Sequence, residues 1–261
     1  MKYFKKSLGQ NFLIDKNIIN KITSLIEIKD KNIIEIGPGN GALTSEIFKR
    51  KPKSLILIEK DQDLINDLKR FFLKEKNVKI FNEDFLEFNI DNICKKNTVI
   101  FGNLPYNISS QILVKILKLK NLPNNIGDII LMFQKELGEK IIGKFSTKNY
   151  GRLSILTNYR LKIVKKFLVS PFSFFPKPKV LSMVIHFQPK KKTNHRIREI
   201  KSLEKITNII FSNRRKMINK NIKKVLTSKK IEKIPSLKLN SRPSEIKPEI
   251  YYKITELYEK I

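Results

Sequence analysis

The sequence predicts an α/β protein, in which helices cover both faces of a mostly parallel β-sheet and a small all-α domain follows. Three observations predict this class. The chain of 261 residues is 41% hydrophobic and contains 17 Phe, which is enough apolar material for a packed core. Its first 188 residues alternate short apolar runs with amphipathic stretches. Beyond residue 189, apolar residues recur only at helical spacing.

The strands of the predicted sheet are short apolar runs, each followed by a helical pattern. In chain order the candidates are Asn32–Ile36, Ser54–Ile58, Val78–Phe81, Thr98–Phe101 and Ile129–Phe133. Two further extended runs cover Leu161–Val169 and Val180–Phe187, and a helix cannot continue through the prolines between them, Pro171, Pro176 and Pro178. We predict that these two runs form a hairpin-like pair that closes one edge of the sheet.

The chain is predicted to divide near Pro189. The sequence Pro-Lys-Lys-Lys-Thr-Asn at residues 189–194 is typical of a linker. The segment after it contains no convincing strand, and its apolar residues recur at helical intervals, as at Leu203, Ile206, Ile209 and Ile210. We therefore predict an α/β domain over residues 1–189 and a helical domain over residues 190–261.

Positive charge is unevenly distributed along the chain. The sequence has 54 Lys and Arg against 24 Asp and Glu, a net charge of +30. Half of it lies between Lys177 and Lys230, where 17 basic residues accompany 2 acidic ones. A bias in nucleotide composition could account for many lysines, but it does not explain this concentration. We predict a polyanionic partner, and nucleic acid ahead of a membrane surface.

The composition also excludes several classes of protein. A single cysteine, Cys94, excludes a disulfide framework, and with only two histidines, His186 and His195, we expect no metal site. No uncharged apolar run is long enough to span a membrane. The basic start, Met1–Lys6, is not followed by the apolar region of a signal peptide, so we expect a cytoplasmic protein.

Three of the nine glycines fall within five residues, directly after the first predicted strand: Gly37, Gly39 and Gly41. Glycine at the start of a helix lets backbone N–H groups approach a ligand closely. A dinucleotide-binding turn would have its third glycine three residues after the second, whereas here it follows after two. The alternative is a tight strand-to-helix turn that binds no ligand.

Two acidic residues follow the next two predicted strands. Glu59 ends the second strand, 22 residues after Gly37, where a carboxylate can accept both hydroxyls of a ribose. Asp84 follows the third strand and could accept a hydrogen bond from an adenine amino group, although it could equally cap the next turn. Glu59 could also be a solvated strand end. Together with the glycines, these acids predict a nucleoside cofactor, and the absence of a Walker lysine argues against a nucleoside triphosphate.

The fourth predicted strand runs into Phe-Gly-Asn-Leu-Pro-Tyr-Asn at residues 101–107, which could simply be a turn. The functional interpretation concerns the exocyclic amine of adenine, whose lone pair is delocalised into the ring. The Asn103 side-chain carbonyl and the Leu104 backbone carbonyl could accept its N–H groups and direct the lone pair at an electrophile. Pro105 would fix the backbone, and Tyr106 would stack on the flipped base.

Six motifs, in chain order, resemble those of the ribosomal RNA adenine dimethyltransferases, and most closely the branch that acts on small-subunit rRNA. They are LGQNFL at 8–13, IGPG at 36–39, FGNLPYNIS at 101–109, YGRLS at 150–154, FFPKPKV at 174–180 and FSNRRK at 211–216. The order of the six is far more specific than any one of them. Beyond Lys224 the sequence adds no further match.

The resemblance implies a Rossmann-like enzyme that uses S-adenosyl-L-methionine. It would dimethylate the exocyclic amines of two adjacent adenines in the 3′-terminal hairpin of small-subunit (16S) rRNA and act in subunit maturation. Residues 1–189 would form the catalytic domain and residues 190–261 the RNA-binding domain. We expect a monomer that binds the rRNA within a pre-assembled small-subunit particle, without a metal or a membrane.

The resemblance also assigns residues. Cofactor contacts fall on Asn11, Leu13, Gly37, Gly39, Glu59, Asp84 and Asn103. The target base falls between Asn103, Leu104, Pro105, Tyr106 and Phe174, with Phe174 opposite Tyr106, although Phe175 stands where many relatives have a small polar residue. For RNA binding we select Arg214, Arg215, Lys216, Lys220 and Lys223, on a helix that we predict after Phe211. A solvated helix face in a lysine-rich protein is the alternative.

Three other functions compete with this interpretation. A drug-resistance methyltransferase for large-subunit rRNA shares the Asn-Leu/Ile-Pro-Tyr site, but Leu8-Gly9 and Arg214–Lys216 argue against it. A DNA adenine methyltransferase needs a larger base-reading domain than about 70 C-terminal residues provide. A catalytically silent ribosome-assembly factor would not need an intact Asn103–Tyr106 motif.

Overall fold

A computed structural model describes residues 10–260, so that Leu8 and Gly9 of the predicted N-terminal motif lie outside the described residues. The chain forms two compact units. The first extends to Gly138 and resumes at Ile163–Pro189, and the second comprises Glu139–Lys162 and the chain from Lys190 onward. The predicted boundary at 189/190 coincides with one division, but residues 139–162, which we expected in the α/β domain, pack in the second unit.

The strands within the described residues are β1 (Phe12–Leu13), β2 (Asn32–Ile36), β3 (Ser54–Glu59), β4 (Val78–Asn82), β5 (Thr98–Asn103), β6 (Ile126–Gln134), β7 (Leu161–Val169), β8 (Phe174–Phe175) and β9 (Ser182–Pro189). The helices are α1 (Lys16–Thr23), α2 (Ala42–Lys49), α3 (Gln62–Phe71), α4 (Ser109–Leu117), α5 (Leu122–Asn125), α6 (Lys135–Ile141), α7 (Arg152–Arg160), α8 (Ile200–Phe211), α9 (Asn219–Ile222), α10 (Ser228–Ile231) and α11 (Pro248–Glu259).

Seven strands form the central sheet in the order β4-β3-β2-β5-β6-β9-β7. The five strands β4, β3, β2, β5 and β6 are parallel to one another, and β9 pairs with β6 in the antiparallel direction. From β2 the chain winds outward through β3 to β4, then returns to the other side of β2 with β5. The order therefore reverses between β2 and β5, which is where open α/β sheets bind ligands at the carboxyl ends of their strands. β1 and β8 form a separate two-stranded sheet.

The first unit is stabilised by burial of its strands and of one face of each helix. Ile33, Leu55, Leu57, Val99 and Phe101 have no exposed surface and lie in one hydrophobic cluster, as expected for strands covered on both faces. Side chains of the sequence also set the helix starts: Asp15 accepts hydrogen bonds from the backbone at the start of α1, and Asp61 does so at the start of α3.

The second unit is a helical core in which tyrosine hydroxyls are satisfied by backbone carbonyls. Tyr251 of α11 is fully buried and donates to the Pro243 carbonyl at 2.7 Å. Tyr150, just before α7, donates to the Ile246 carbonyl at 2.8 Å. The Tyr150–Ile246 bond joins residues 96 positions apart, and it helps to hold residues 139–162 against the C-terminal helices.

The predicted fold class is confirmed, and the structure contains every strand that the sequence predicts. β2 and β7 have the predicted bounds, and the edge pair is present as β9 and β7. β1 and β8 were not predicted. The predicted helix after Phe211 is wrong: α8 ends at Phe211, residues 212–216 form turns, and α9 covers only Asn219–Ile222. The proposed helical face of Lys216, Lys220 and Lys223 is therefore not formed by one helix.

Candidate active site

A cavity of about 250 Å³ lies at the reversal of strand order, in the first unit. The loops after β2, β3, β4 and β5 line it, together with β1. Its polar lining includes Asn11, Glu35, Glu59, Asp84 and Asn103, and its apolar lining includes Ile58, Phe85, Leu104 and Ile112. All seven residues predicted to bind the cofactor line this cavity. The mixed polar and apolar lining of the cavity suits a nucleoside with a polar tail.

The glycine loop has the backbone conformation that only glycine adopts readily. Gly37, Gly39 and Gly41 have φ values of +66°, +58° and +77°. A Cβ atom at Gly39 would also lie 3.1 Å from the ring of Phe12. Because Phe12 belongs to β1, which lines the same cavity, this glycine lets the N-terminal strand approach the loop closely.

Glu59 is buried at the end of β3 and holds the loop in place. Its Oε2 accepts a hydrogen bond from the Gly39 N–H at 3.1 Å, and its Oε1 accepts two, from the N–H groups of Lys60 and Asp61, both at 2.9 Å. Burial raises its pKa, and these three bonds oppose the rise. A carboxylate has about four lone-pair directions. One acceptor position on Oε2 therefore remains, which suits one ribose hydroxyl, and a second hydroxyl would have to replace a backbone donor.

Asp84 follows β4 and is partnered on both oxygens. Its Oδ1 accepts the Leu86 N–H at 2.8 Å, which caps the turn, and its Oδ2 pairs with the Lys60 ammonium at 2.9 Å. Burial raises the pKa of this carboxyl, but the bonds from Lys60 and Leu86 outweigh it and hold the pKa below its usual value. Phe85 and Ile112 line the cavity beside Asp84, so this end provides apolar surface next to an ionised acceptor, as the face and amino group of a purine require.

Sequence reasoning assigned no role to Glu35, which also lines the cavity. It stands in β2 between Ile34 and Ile36, is 1% exposed, and its Oε2 has no hydrogen-bond partner among the described residues. Burial raises its pKa to about 8, and the nearby charge of Glu59 adds to the rise. An acid inside an otherwise apolar strand was the signal that could have identified it. An unsatisfied buried carboxyl at this position suits a cationic ligand group.

Asn103 ends β5 and is held by Asn11, the residue before β1. Its Nδ2 donates to the Asn11 backbone carbonyl at 2.9 Å. A flipped amide would place Oδ1 against that carbonyl, so this bond fixes Oδ1 as the acceptor that faces the cavity. The next residue, Leu104, is buried, and no donor among the described residues bonds its carbonyl. Asn103 Oδ1 and the Leu104 carbonyl oxygen therefore belong to consecutive residues, and both can accept hydrogen bonds from a target amine.

The two predicted stacking aromatics have different environments. The Tyr106 hydroxyl shares a hydrogen bond of 2.6 Å with Ser182, and burial raises its pKa despite that bond, so the ring stays neutral. Phe174 is 3% exposed and packs with Leu13 in the hydrophobic cluster, whereas Phe175 is 47% exposed. Stacking by Phe174 stays a prediction, and it would require this side chain to leave its packed position.

The residues predicted to bind RNA lie in the second unit, and all of them are exposed. Arg214 is nevertheless engaged within that unit, because its guanidinium donates to the carbonyls of Lys148 and Tyr150 at 2.9 and 3.0 Å. Arg215, Lys216, Lys220 and Lys223 make no such side-chain bonds within residues 10–260. The structure thus gives Arg214 a structural role, and RNA binding by these residues stays a prediction.

Residues 10–260 contain no cluster of three or more His, Cys, Asp or Glu side chains suited to a metal ion. No helix in the same range is long and apolar enough to cross a membrane. The predicted cytoplasmic location stays a prediction.

Comparison with known proteins places the chain among rRNA-modifying enzymes. The family model described as "Ribosomal RNA adenine dimethylase" matches residues 1–260. A protein of Pelagibacter ubique called "Ribosomal RNA small subunit methyltransferase A" is 44% identical over 260 residues, covering 98% of this chain and 97% of its own. A protein of the same name from Malacoplasma penetrans is 40% identical, covering 97% and 92%.

Solved structures share the fold. A dimethyladenosine transferase from Plasmodium falciparum superposes with a TM-score of 0.78 at 24% identity, over 95% of this chain and 98% of that one. The 23S rRNA methyltransferase ErmE gives a TM-score of 0.66 at 22% identity, over 95% and 99%. At such identities the two likenesses establish the architecture and do not distinguish between the two kinds of rRNA substrate.

Proposed function

Because the chain belongs to the ribosomal RNA adenine dimethylase family, we propose that it methylates the exocyclic amines of adenines in small-subunit rRNA. Its methyl donor is S-adenosyl-L-methionine. The relatives named for the small-subunit enzyme are up to 44% identical over nearly the whole chain, which favours this substrate over large-subunit rRNA. The intact Asn103–Tyr106 motif favours an active enzyme over a silent assembly factor.

The cavity fits this donor. S-adenosyl-L-methionine carries a ribose, an adenine, an ammonium group and a methyl group on a positively charged sulfur. Glu59 would accept a ribose hydroxyl, Asp84 the adenine amino group, and Glu35 would face a cationic group with its unsatisfied oxygen. The glycines leave the loop without Cβ atoms, so that a ligand can approach its backbone closely. Their own N–H groups already donate to the Ile58 carbonyl, to Glu59 and to the Pro38 carbonyl.

The observation that carries the proposal is the hydrogen bond from Asn103 Nδ2 to the Asn11 carbonyl, because it leaves Oδ1 as a fixed acceptor. Oδ1 and the Leu104 carbonyl would each accept one N–H of the target amine and hold its lone pair out of the ring plane. Methyl transfer would form the new N–C bond as the sulfur–methyl bond of the donor breaks, which would leave a neutral thioether. The positive charge that develops on the nitrogen would be stabilised by the two oxygens until the nitrogen releases one proton to water. No strong base is needed for this step.

The second methylation uses the same residues under a different constraint. A monomethylated amine has one N–H left, so only one of the two oxygens can accept a hydrogen bond from it. We therefore expect the two transfers to differ in their dependence on Asn103. Tyr106, whose hydroxyl is held by Ser182, would keep the base in place for both.

We further propose that the targets are two adjacent adenines in the 3′-terminal hairpin, that the protein acts as a monomer, and that a pre-assembled particle is the natural substrate. The exposed cations of the second unit, Arg215, Lys216, Lys220 and Lys223, support a backbone contact with RNA. Arg214 would instead support the loop that carries them.

Mass-spectrometric mapping of methylated adenines tests the function. Unmodified small-subunit and large-subunit rRNA, each free or in particles, are incubated with the protein and labelled S-adenosyl-L-methionine. We expect label on adenines of the small-subunit rRNA alone. Label on large-subunit adenines would favour the competing enzyme class, and RNA binding without any label would favour a silent assembly factor.

A further inference from the structure

Exposed apolar side chains are concentrated on one segment of the first unit. Within residues 10–260, eleven large hydrophobic side chains are exposed, and seven of them lie between positions 163 and 181: Ile163, Val164, Leu168, Phe172, Phe175, Val180 and Leu181. The same segment contains four lysines and no Asp or Glu. Apolar surface among uncompensated cations matches single-stranded nucleic acid, which offers both base faces and phosphates.

The part of this segment from Ser170 to Leu181, here called the 170–181 loop, is attached at both ends to the active site. At one end the Ser173 carbonyl accepts the Ile14 N–H at 2.9 Å, and β8 pairs with β1, which lines the cavity. At the other end the Leu181 carbonyl accepts the Lys135 N–H at 2.8 Å. The following residue, Ser182, bonds the Tyr106 hydroxyl. The 170–181 loop thus extends from β1, which lines the cavity, to the partner of Tyr106, the residue that we propose stacks on the target base.

Phe172 is the most exposed aromatic of this loop, with 76% of its surface accessible. The ammonium of Lys177 lies 3.5 Å from the centroid of its ring. Pro171 precedes Phe172, and Pro176 and Pro178 flank Lys177, so the backbone around the pair has few conformations to lose on binding. An accessible aromatic ring beside a cation can bind a single nucleotide, because the base stacks on the ring while the ammonium group pairs with a phosphate.

We infer that Phe172 and Lys177 form a stacking platform for a nucleotide that flanks the target adenine in the RNA. This inference rests on the proposed function, and it adds a contact outside the cavity. Phe174 and Tyr106 concern the flipped base itself, whereas Phe172 lies on the outer side of the same loop. The platform binds RNA and positions it, and it has no part in the chemistry.

The test compares Phe172→Ala with Phe71→Ala, since Phe71 is also a highly exposed phenylalanine of the first unit, on α3. The probe is an unmodified transcript of small-subunit rRNA, and the readouts are RNA affinity by fluorescence anisotropy and methylation kinetics. We expect Phe172→Ala to weaken RNA affinity about tenfold and to raise the KM for RNA similarly, with kcat for bound RNA and cofactor affinity unchanged. Phe172→Trp restores binding, and Phe71→Ala behaves as wild type.

Lys177→Gln provides an independent arm. If the ammonium meets a phosphate, this change lowers the slope of log affinity against log salt concentration by about 0.7. Equal RNA affinities for Phe172→Ala and Phe71→Ala, with an unchanged salt slope for Lys177→Gln, would overturn the platform even if the wild-type protein methylates rRNA. Failure of the wild-type protein to methylate any rRNA would instead overturn the proposed function, so the two failures are distinguishable.

Discussion

The cofactor cavity and the basic surface of the second unit hold their polar groups in opposite ways. Glu59 accepts three backbone N–H groups, and Asn103 donates to a backbone carbonyl, so both side chains are fixed before any ligand arrives. The cations at Arg215, Lys216, Lys220 and Lys223 are exposed and have no side-chain partner within the described residues. The difference agrees with the proposed roles, because methyl transfer depends on the orientation of the acceptor groups, whereas attraction to phosphates depends mainly on exposed positive charge.

The largest effect that we expect follows loss of the oriented acceptor. Asn103→Ala removes Oδ1 and the bond to the Asn11 carbonyl, and turnover should fall by ~10²-fold or more, the scale of losing one oriented hydrogen bond in a transition state. Cofactor affinity should change much less. Steady-state methylation and cofactor calorimetry on the same variant measure both quantities. If turnover survives while only cofactor binding falls, Asn103 has been given the wrong role.

The next effect concerns the cofactor. Glu59→Ala removes the buried acceptor that we propose for the ribose and leaves three backbone N–H groups without their partner, so cofactor affinity should fall at least tenfold, or about 1.5–3 kcal/mol. Glu59→Gln keeps one acceptor oxygen and should lie between the alanine variant and wild type. Unchanged affinity in Glu59→Ala, measured by calorimetry, would contradict the assignment of Glu59.

Glu35 gives a smaller, pH-dependent effect. With a pKa of about 8, this carboxyl is protonated at pH 7 and should ionise when a cationic ligand group binds beside it. Cofactor binding at pH 7 should therefore release up to one proton, and affinity should rise as the pH increases toward 8. Calorimetry in two buffers of different ionisation enthalpy measures the release. The same number of protons released by Glu35→Gln would show that another group is responsible.

The same group should affect stability. Its folded pKa of about 8 lies above the ordinary value of 4.5, so between these two pH values the folded state binds more protons than the unfolded state. The free energy of unfolding should consequently fall as pH rises through this interval. Glu35→Gln lacks the group and should lose this part of the pH dependence, which thermal denaturation of both proteins between pH 5 and 8 will show. Parallel curves for the two proteins would contradict the raised pKa.

Much of the fold could be predicted because its determinants are local. β2 and β7 have their predicted bounds, since the apolar run of β2 ends at Gly37 and the extended run of β7 ends before Ser170 and Pro171. β1 and β8 have two residues each, too few for any periodicity to be visible. The packing of residues 139–162 with the C-terminal helices depends on long-range bonds such as Tyr150 to Ile246, which no local pattern encodes.

The position of Gly37, Glu59 and Asn103 at the cavity could be predicted from the sequence. Each of them stands at or just after the carboxyl end of a predicted strand, and parallel strands bring these ends together. The helix after Phe211 was predicted wrongly because lysine spacing alone fits a helix face, while Ser212 and Asn213 favour turns, and Arg214 bonds two carbonyls of another segment. The unsatisfied oxygen of Glu35 and the exposure of Phe172 both depend on packing, so only the structure displays them.

The central claim is that the cavity of the first unit binds the cofactor, whereas the exposed lysines of the second unit contribute to RNA affinity alone, and one set of titrations tests it. RNA affinity is measured at several salt concentrations, and cofactor affinity at one, for Glu59→Ala and for a variant with Lys216, Lys220 and Lys223 changed to Gln. We predict that the lysine variant lowers the salt slope by about two to three units, since each phosphate contact contributes ~0.7–0.9, and leaves cofactor affinity unchanged. Glu59→Ala should lower cofactor affinity and leave the salt slope of RNA binding unchanged. A wild-type salt slope in the lysine variant, or a changed slope in Glu59→Ala, would contradict the account.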